Sequence, residues 1–253
     1  MTTTAESARQ REAQRSPSPC RLLRSLGGVV PRVPGLLLET VKYVAQRGHV
    51  DSLGVVDRTD APDGPDPTRP LPGDPDTVLR RSAGRGDLYQ RVYRIEIADP
   101  QLGPEELIAF LIDDPNLASP ISVSVFEELS GERREDGAEF VVRLPGPWDA
   151  PVRVVDRTDT SFSFVTLRGH MEAGEIGFRA EWGDDGRLVF TIESWARSGD
   201  RLYHWVYDLV PLTKSVQLHM WVHVCERVAI IAGGTPAGKV SVATHRWKDD
   251  GDG

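Results

Sequence analysis

Residues 211–232 read PLTKSVQLHMWVHVCERVAIIA, and how this run folds decides the architecture. It opens with proline, holds no proline or glycine inside, and is followed by Gly233-Gly234. Proline suits the first turn of a helix and glycine ends one, so the run predicts a long helix over Pro211–Ala232. Val216, Met220, Val224, Val228 and Ile231 recur at steps of four or three and fall on one stripe. A stripe of that kind needs an apolar surface to lie against.

The chain before it supplies such a surface. Leu88–Ile97 alternates and predicts a strand. Pro104 then opens a helix carrying Leu107, Ile108, Leu111 and Ile112, and Pro115 stops it. A short turn or second helix fits Asp113–Ser119. Six more strand-like runs follow: Ile121–Leu129, Ala138–Leu144, Val152–Asp156, Ser161–Leu167, Glu175–Trp182 and Arg187–Arg197. Between them stand turn residues such as Ser130-Gly131, Arg168-Gly169 and Asp184-Asp185-Gly186. Links this short favour antiparallel hairpins. Phe162 with Phe164, Ile176 with Phe178, Ala180 and Trp182, and Phe190 with Ile192 each share a face. A sheet with one apolar face must cover it. The predicted fold is therefore α+β, a curved seven-stranded antiparallel sheet around one long C-terminal helix.

The flanks differ. Residues 1–56 form a basic N-terminal arm, since residues 1–50 hold eight basic and three acidic side chains while the whole chain carries a net charge of -8. Leu36–Arg47 fits a short amphipathic helix, which suits either weak contact with an anionic membrane surface or docking on the protein's own domain. Residues 57–87 hold six prolines between Pro62 and Pro75 and predict an irregular linker. Residues 88–233 form the folded body, and residues 234–253 are expected to be a disordered tail. No apolar run is long enough to span a bilayer. The acidic balance argues against general nucleic-acid binding. With no export signal, the expected location is cytoplasmic.

The element order resembles the START-like, or Bet v 1-like, helix-grip superfamily of polyketide cyclase and lipid-transport type, over roughly residues 88–233. A narrower likeness lies in Pro147-Trp148, Pro151-Val152-Arg153-Val154, Thr166-Leu167-Arg168-Gly169-His170, Glu172, Gly174-Glu175 and Phe178. These runs are similar to domain of unknown function 1990, with Met171 standing where that pattern has proline. The resemblance implies a cavity between sheet and C-terminal helix.

Several residues could serve such a cavity. Trp148, Phe164, Phe178, Trp182, Trp195, Met220 and Val224 would line it for an apolar small molecule or lipid, although each is also ordinary core material. Arg197 shares a face with Glu193 and Trp195, opposite Phe190 and Ile192. It would pair with Glu193 at the sheet surface, or bind a ligand carboxylate or phosphate if curvature turns that end inward. His170 and Glu172 share one loop with Glu175 and are candidates for acid/base work or for bonding the loop backbone; alternation turns Glu175 outward. His219, His223 and Glu226 share one face of the long helix, and the two histidines are further acid/base candidates. The glutamate that a metalloprotease helix needs after its first histidine is missing, so a solvated face is expected rather than a metal site. No glycine-rich phosphate loop or nucleophile elbow is present, so no cofactor is implied. Three functions remain: a carrier of an apolar small molecule or lipid, a cyclase- or dehydrase-like enzyme acting on a hydrophobic intermediate in the same cavity, and a structural or membrane-peripheral interaction protein with a filled core.

Overall fold

The structure is a computed structural model that describes residues 50–58, 75–121, 124–132, 134–144, 149–199 and 211–248. Among these residues there are ten strands and two α-helices. In chain order they are β1 (Val50–Arg58), β2 (Arg85–Ala98), α1 (Pro104–Asp113), β3 (Val125–Ser130), β4 (Glu139–Arg143), β5 (Asp149–Val155), β6 (Ser161–Thr166), β7 (Glu172–Trp182), β8 (Leu188–Ser198), α2 (Pro211–Ile231), β9 (Thr235–Pro236) and β10 (Val240–Trp247). The fold is α+β. Its open sheet runs β1-β10-β2-β8-β7-β6-β5-β4-β3, with β9 paired to β2. Every pairing is antiparallel except that of β1 with β10. That parallel pair is sterically open because most of the chain lies between its members and supplies the long crossover.

All seven runs expected as strands are strands, and both expected helices form. The sheet nonetheless extends past seven strands. Thr235 onward was expected as a disordered tail, yet β10 lies between β1 and β2. Its residues alternate: Val240 and Val242 enter the main core, and Trp247 packs on the other side with Leu88 and Trp195. The run is short and holds only two valines and one tryptophan, so its stability comes from pairing with β2, which sequence spacing does not reveal. Val50–Val56, assigned to the arm, lies in the edge strand β1. The helix expected over Leu36–Arg47 lies outside the described residues.

The local reasons for the two helices are legible. Pro104 begins α1, and the Glu106 carboxylate accepts from the Gly103 N–H at 3.0 Å. One orphan donor at the helix start is thereby satisfied. Leu107, Ile108, Leu111 and Ile112 are buried against the sheet. At the far end Asp114 accepts from Asn116 N and starts a 3-10 turn over Pro115–Leu117. α2 lies across the same face of the sheet. Its Val222, Val224, Cys225, Val228 and Ala229, with Ala232 just past its end, share one core with Tyr93, Ile95 and Ile97 of β2 and with Phe190 and Ile192 of β8. Of the predicted stripe, Val224 and Val228 are buried while Met220 and Ile231 are only partly so; the buried face is centred instead on Val222, Cys225 and Ala229.

The opposite, outer face is covered by part of the expected linker. Residues 75–84 cross it, with Val78 bridging to Leu167 and Leu79 N donating to Thr166 O at 2.8 Å. Val78 packs on Val155, Val165 and Leu167. Beneath it Arg153, only 3 % exposed at its side chain, donates through Nη2 to Glu139 Oε1 at 2.7 Å and to Thr77 Oγ1 at 2.7 Å. A guanidinium this buried persists because it is paired and hydrogen-bonded. Glu175 does point to the outer face, as alternation demands, but the covering segment leaves it buried. Residues 59–74 of the expected linker lie outside the described residues.

If β10 is integral to the fold, deleting its outer-face anchor will be costly. Trp195 and Trp247 stack with centroids 5.3 Å apart. Trp247→Ala is expected to lower unfolding free energy by about 3 kcal/mol, read from the midpoint of urea denaturation. A dispensable tail would leave the midpoint unchanged.

Candidate functional site

The inner face, beneath α1 and α2, divides into a dry part and an open part. One cross-strand row runs Tyr93, Ile192, Phe178, Phe162, and all four are buried. The next row runs Arg91, Ser194, Ile176, Phe164. Its first three members are only partly buried. Phe126 and Val142 from the far strands, and Leu218 and Trp221 from α2, are likewise partly buried against the core. Partial exposure of residues that point between sheet and helix means that solvent enters there.

Aromatic rings line that region. Phe126 stacks on Phe164 at 5.7 Å, and Phe140 meets Phe164 edge-on at 5.9 Å. Phe162 stacks on Phe178 at 4.8 Å, and Trp221 of α2 lies 5.8 Å from Phe178. Rings in these offset and tilted arrangements attract one another beyond the area they bury.

A polar trio closes one end. Arg91 Nη1 donates to Gln217 Oε1 at 2.8 Å, and Gln217 Nε2 donates to both carboxylate oxygens of Glu172 at 3.2 and 3.1 Å. Arg91 also lies over the Tyr89 ring, its guanidinium carbon 5.4 Å from the centroid. The trio joins β2, α2 and β7, so one neutral amide ties the long helix to a cation on one strand and an anion on another.

Glu172 owes its place to its loop. The Glu172 N–H donates to His170 Nδ1 at 2.9 Å, and His170 N donates to Leu167 O at 3.0 Å. Burial pushes the His170 pKa below the usual histidine value, against the opposing pull of the Glu172 carboxylate. The same Nδ1 lies 2.9 Å from Glu172 O, so the Glu172 backbone holds the ring and the ring fixes the loop. Thr166 Oγ1 accepts from Gly174 N at 3.0 Å and holds the start of β7. Gly174 has φ 153°, and a Cβ there would sit 1.9 Å from Trp195 O. Only glycine lets β7 approach β8 so closely.

The predicted site residues separate. Phe164 and Phe178 stand on the inner face among the rings. Val224 is buried in the core of α2, and Met220 is partly buried. Glu172 reaches α2, and His170 supports it. Trp195 and Arg197 lie on the outer face, as strand parity requires, so the inward turn considered for Arg197 does not occur. Trp195 Nε1 donates to Glu193 Oε1 at 2.9 Å, and Gln90 Nε2 donates to the same oxygen at 2.6 Å. Trp182 shares the parity of Phe178 but is 54 % exposed at the last position of β7. His219 was expected on a solvated face and is 2 % exposed; His223 is partly buried, its ring 6.4 Å away. Trp148 lies outside the described residues. Among the described residues no group of three His, Cys, Asp or Glu could hold a metal ion. Cys225 is fully buried on α2, and burial pushes its thiol well above the usual range.

Sequence reasoning missed Arg91, Ser194 and Gln217. A signal existed for the first. Arg91 has the parity of Tyr93, Ile95 and Ile97, and a charged residue on the apolar parity of a strand is an anomaly.

Residues 122–227 match the family described as domain of unknown function DUF1990. The match takes in Glu172 and Gln217 and leaves out β2, which carries Arg91. No curated protein matches the chain. Among solved structures, one from Thermobifida fusca is 14% identical and covers 56% of this chain and 94% of its own, with a TM-score of 0.41. One from Chromobacterium violaceum is 12% identical and covers 57% and 96%, with a TM-score of 0.38. One from Geobacillus kaustophilus is 14% identical and covers 56% and 95%, with a TM-score of 0.39. Among the described residues no helix is long and apolar enough to cross a membrane.

Two outcomes test this geometry. Gly174→Ala is expected to destabilise the fold strongly, because the added methyl collides with backbone; thermal unfolding reads the loss. The unfolded histidine titrates near its ordinary value of about 6.5, while the folded His170 resists protonation. Below about pH 6.5 the unfolded chain therefore takes up the proton first, and stability falls with pH. His170→Gln is expected to shrink the drop in stability between pH 7.5 and 5, measured by urea denaturation at both values.

Proposed function

We propose that the domain is a START-like, helix-grip module that binds an apolar small molecule or lipid between the inner face of the sheet and α2. The observation that carries this reading is the partial exposure of Arg91, Ser194, Ile176, Phe126 and Trp221 beside fully buried rows. A filled core would keep such residues dry. Ligand sites are mostly apolar and furnished with a few polar groups, and the partly exposed residues here are of that kind. The lie of α2 across the sheet supports the helix-grip part of the proposal. A carrier is favoured over a cyclase-like enzyme because two of the acid/base candidates are already engaged: His170 Nδ1 by the Glu172 backbone, and both Glu172 oxygens by the Gln217 amide. A general base must be within reach of its substrate proton, and these groups are turned to the protein itself.

Native mass spectrometry of the full chain purified from its own host tests the proposal. A co-purifying apolar mass that is lost from an Ile176→Trp variant, folded by circular dichroism, is expected. Repeatedly empty wild-type protein would overturn the reading.

A further inference from the structure

We propose that β3 carries an edge able to pair with the β3 edge of a second copy of this chain, and that Asn116 holds that edge shut. Among the described residues β3 is the last strand on its side of the sheet and pairs with β4 alone. On the side away from β4, both main-chain groups of Phe126 are taken by one side chain. Phe126 N donates to Asn116 Oδ1 at 2.8 Å, and Asn116 Nδ2 donates to Phe126 O at 3.0 Å. In an antiparallel ladder a hydrogen-bonded residue pair exchanges this same couple of bonds. The Asn116 amide thus stands in for the backbone of a further strand. Asp114 Oδ1 accepts from Asn116 N at 3.1 Å and fixes the turn that presents it. Two residues back along the edge, Ser124 N donates to Pro120 O at 2.9 Å, and Ser124 O accepts from Ser119 Oγ at 3.0 Å. Residues 116–120 therefore close the edge at the alternate positions where a neighbouring strand would bond.

An uncovered edge is a template for pairing with another chain, and the side chains of β3 favour its own copy. In antiparallel pairing of β3 with itself, centring on Phe126 sets Phe126 opposite Phe126, Val125 opposite Glu127 and Ser124 opposite Glu128. No carboxylate then faces another, and an aromatic cross-strand pair forms at the centre. Centring further along, on Glu127 or Glu128, sets that carboxylate against its own copy, which is destabilising. The register that avoids the clash is the one whose central hydrogen bonds Asn116 occupies. Pairing of this kind uses the same patch on both chains, so it closes at two copies.

The test is light scattering after size exclusion of the full chain, over a dilution series. Asn116→Ala, alone or combined with Ser119→Ala, is expected to reach twice the wild-type mass at high concentration and to return to it on dilution. Adding Val125→Glu is expected to cancel the gain, because the two-fold symmetry then sets two pairs of like charges across the edge. Folded variants that keep the wild-type mass would overturn the proposal, as would a gain that survives Val125→Glu. Hydrogen exchange on the wild type needs no variant to fold. The Phe126 amide is expected to be protected, and exchange there as fast as in an open strand edge would overturn the role given to Asn116.

Discussion

The apolar inner face of the sheet has to be taken out of water, and α2 is the element that does most of it. Tyr93, Ile97, Phe190 and Ile192 reach essentially zero exposure beneath it. Each side chain of this size contributes about 1.5–3 kcal/mol when fully buried, so uncovering the face would remove a large share of a typical domain's marginal stability. α2 is in turn held by that face. Its Val222, Val224, Cys225, Val228 and Ala229 are buried in the same core as β2 and β8.

The burial is uneven, and the unevenness is where chemistry enters. Towards the C-terminal half of α2, small residues such as Ala229 and Ala232 let the helix approach the sheet closely, and the core is dry. Towards its N-terminal half stand Gln217 and Trp221, and the sheet beneath carries Arg91 and Ser194. A guanidinium on an inner face cannot be packed dry without a strong partner. At that end Arg91, Ser194 and Ile176 stay partly exposed. Gln217 serves both sides by linking the cation on β2 to the anion on β7.

The outer face follows the same rule with a different solution. Residues 75–84 lie across it, and the charged groups beneath them are paired, as Arg153 is with Glu139 and Thr77. The tryptophan pair of β8 and β10 then covers the end of the sheet near Arg81, whose guanidinium carbon stands 5.6 Å from the Trp195 ring. Residues that the alternation pattern marks as solvent-facing are thus buried, because a segment with only two 3-10 turns and one bridge of its own can still cover a sheet.

Sequence by itself determined the order of elements: the period-2 runs of β2 to β8, the Pro104 and Pro211 helix starts and the Gly233-Gly234 stop. These are local signals, since side-chain direction follows backbone geometry within a few residues. Strand parity also put Phe164 and Phe178 on the inner face, and Trp195 and Arg197 on the face away from α2. Only the tertiary structure decided that β10 and β1 extend the sheet, that His219 is buried, and that Arg91, Gln217 and Glu172 meet. Those outcomes depend on contacts between segments more than 40 residues apart, whose energies arise only once the strands and α2 are packed together.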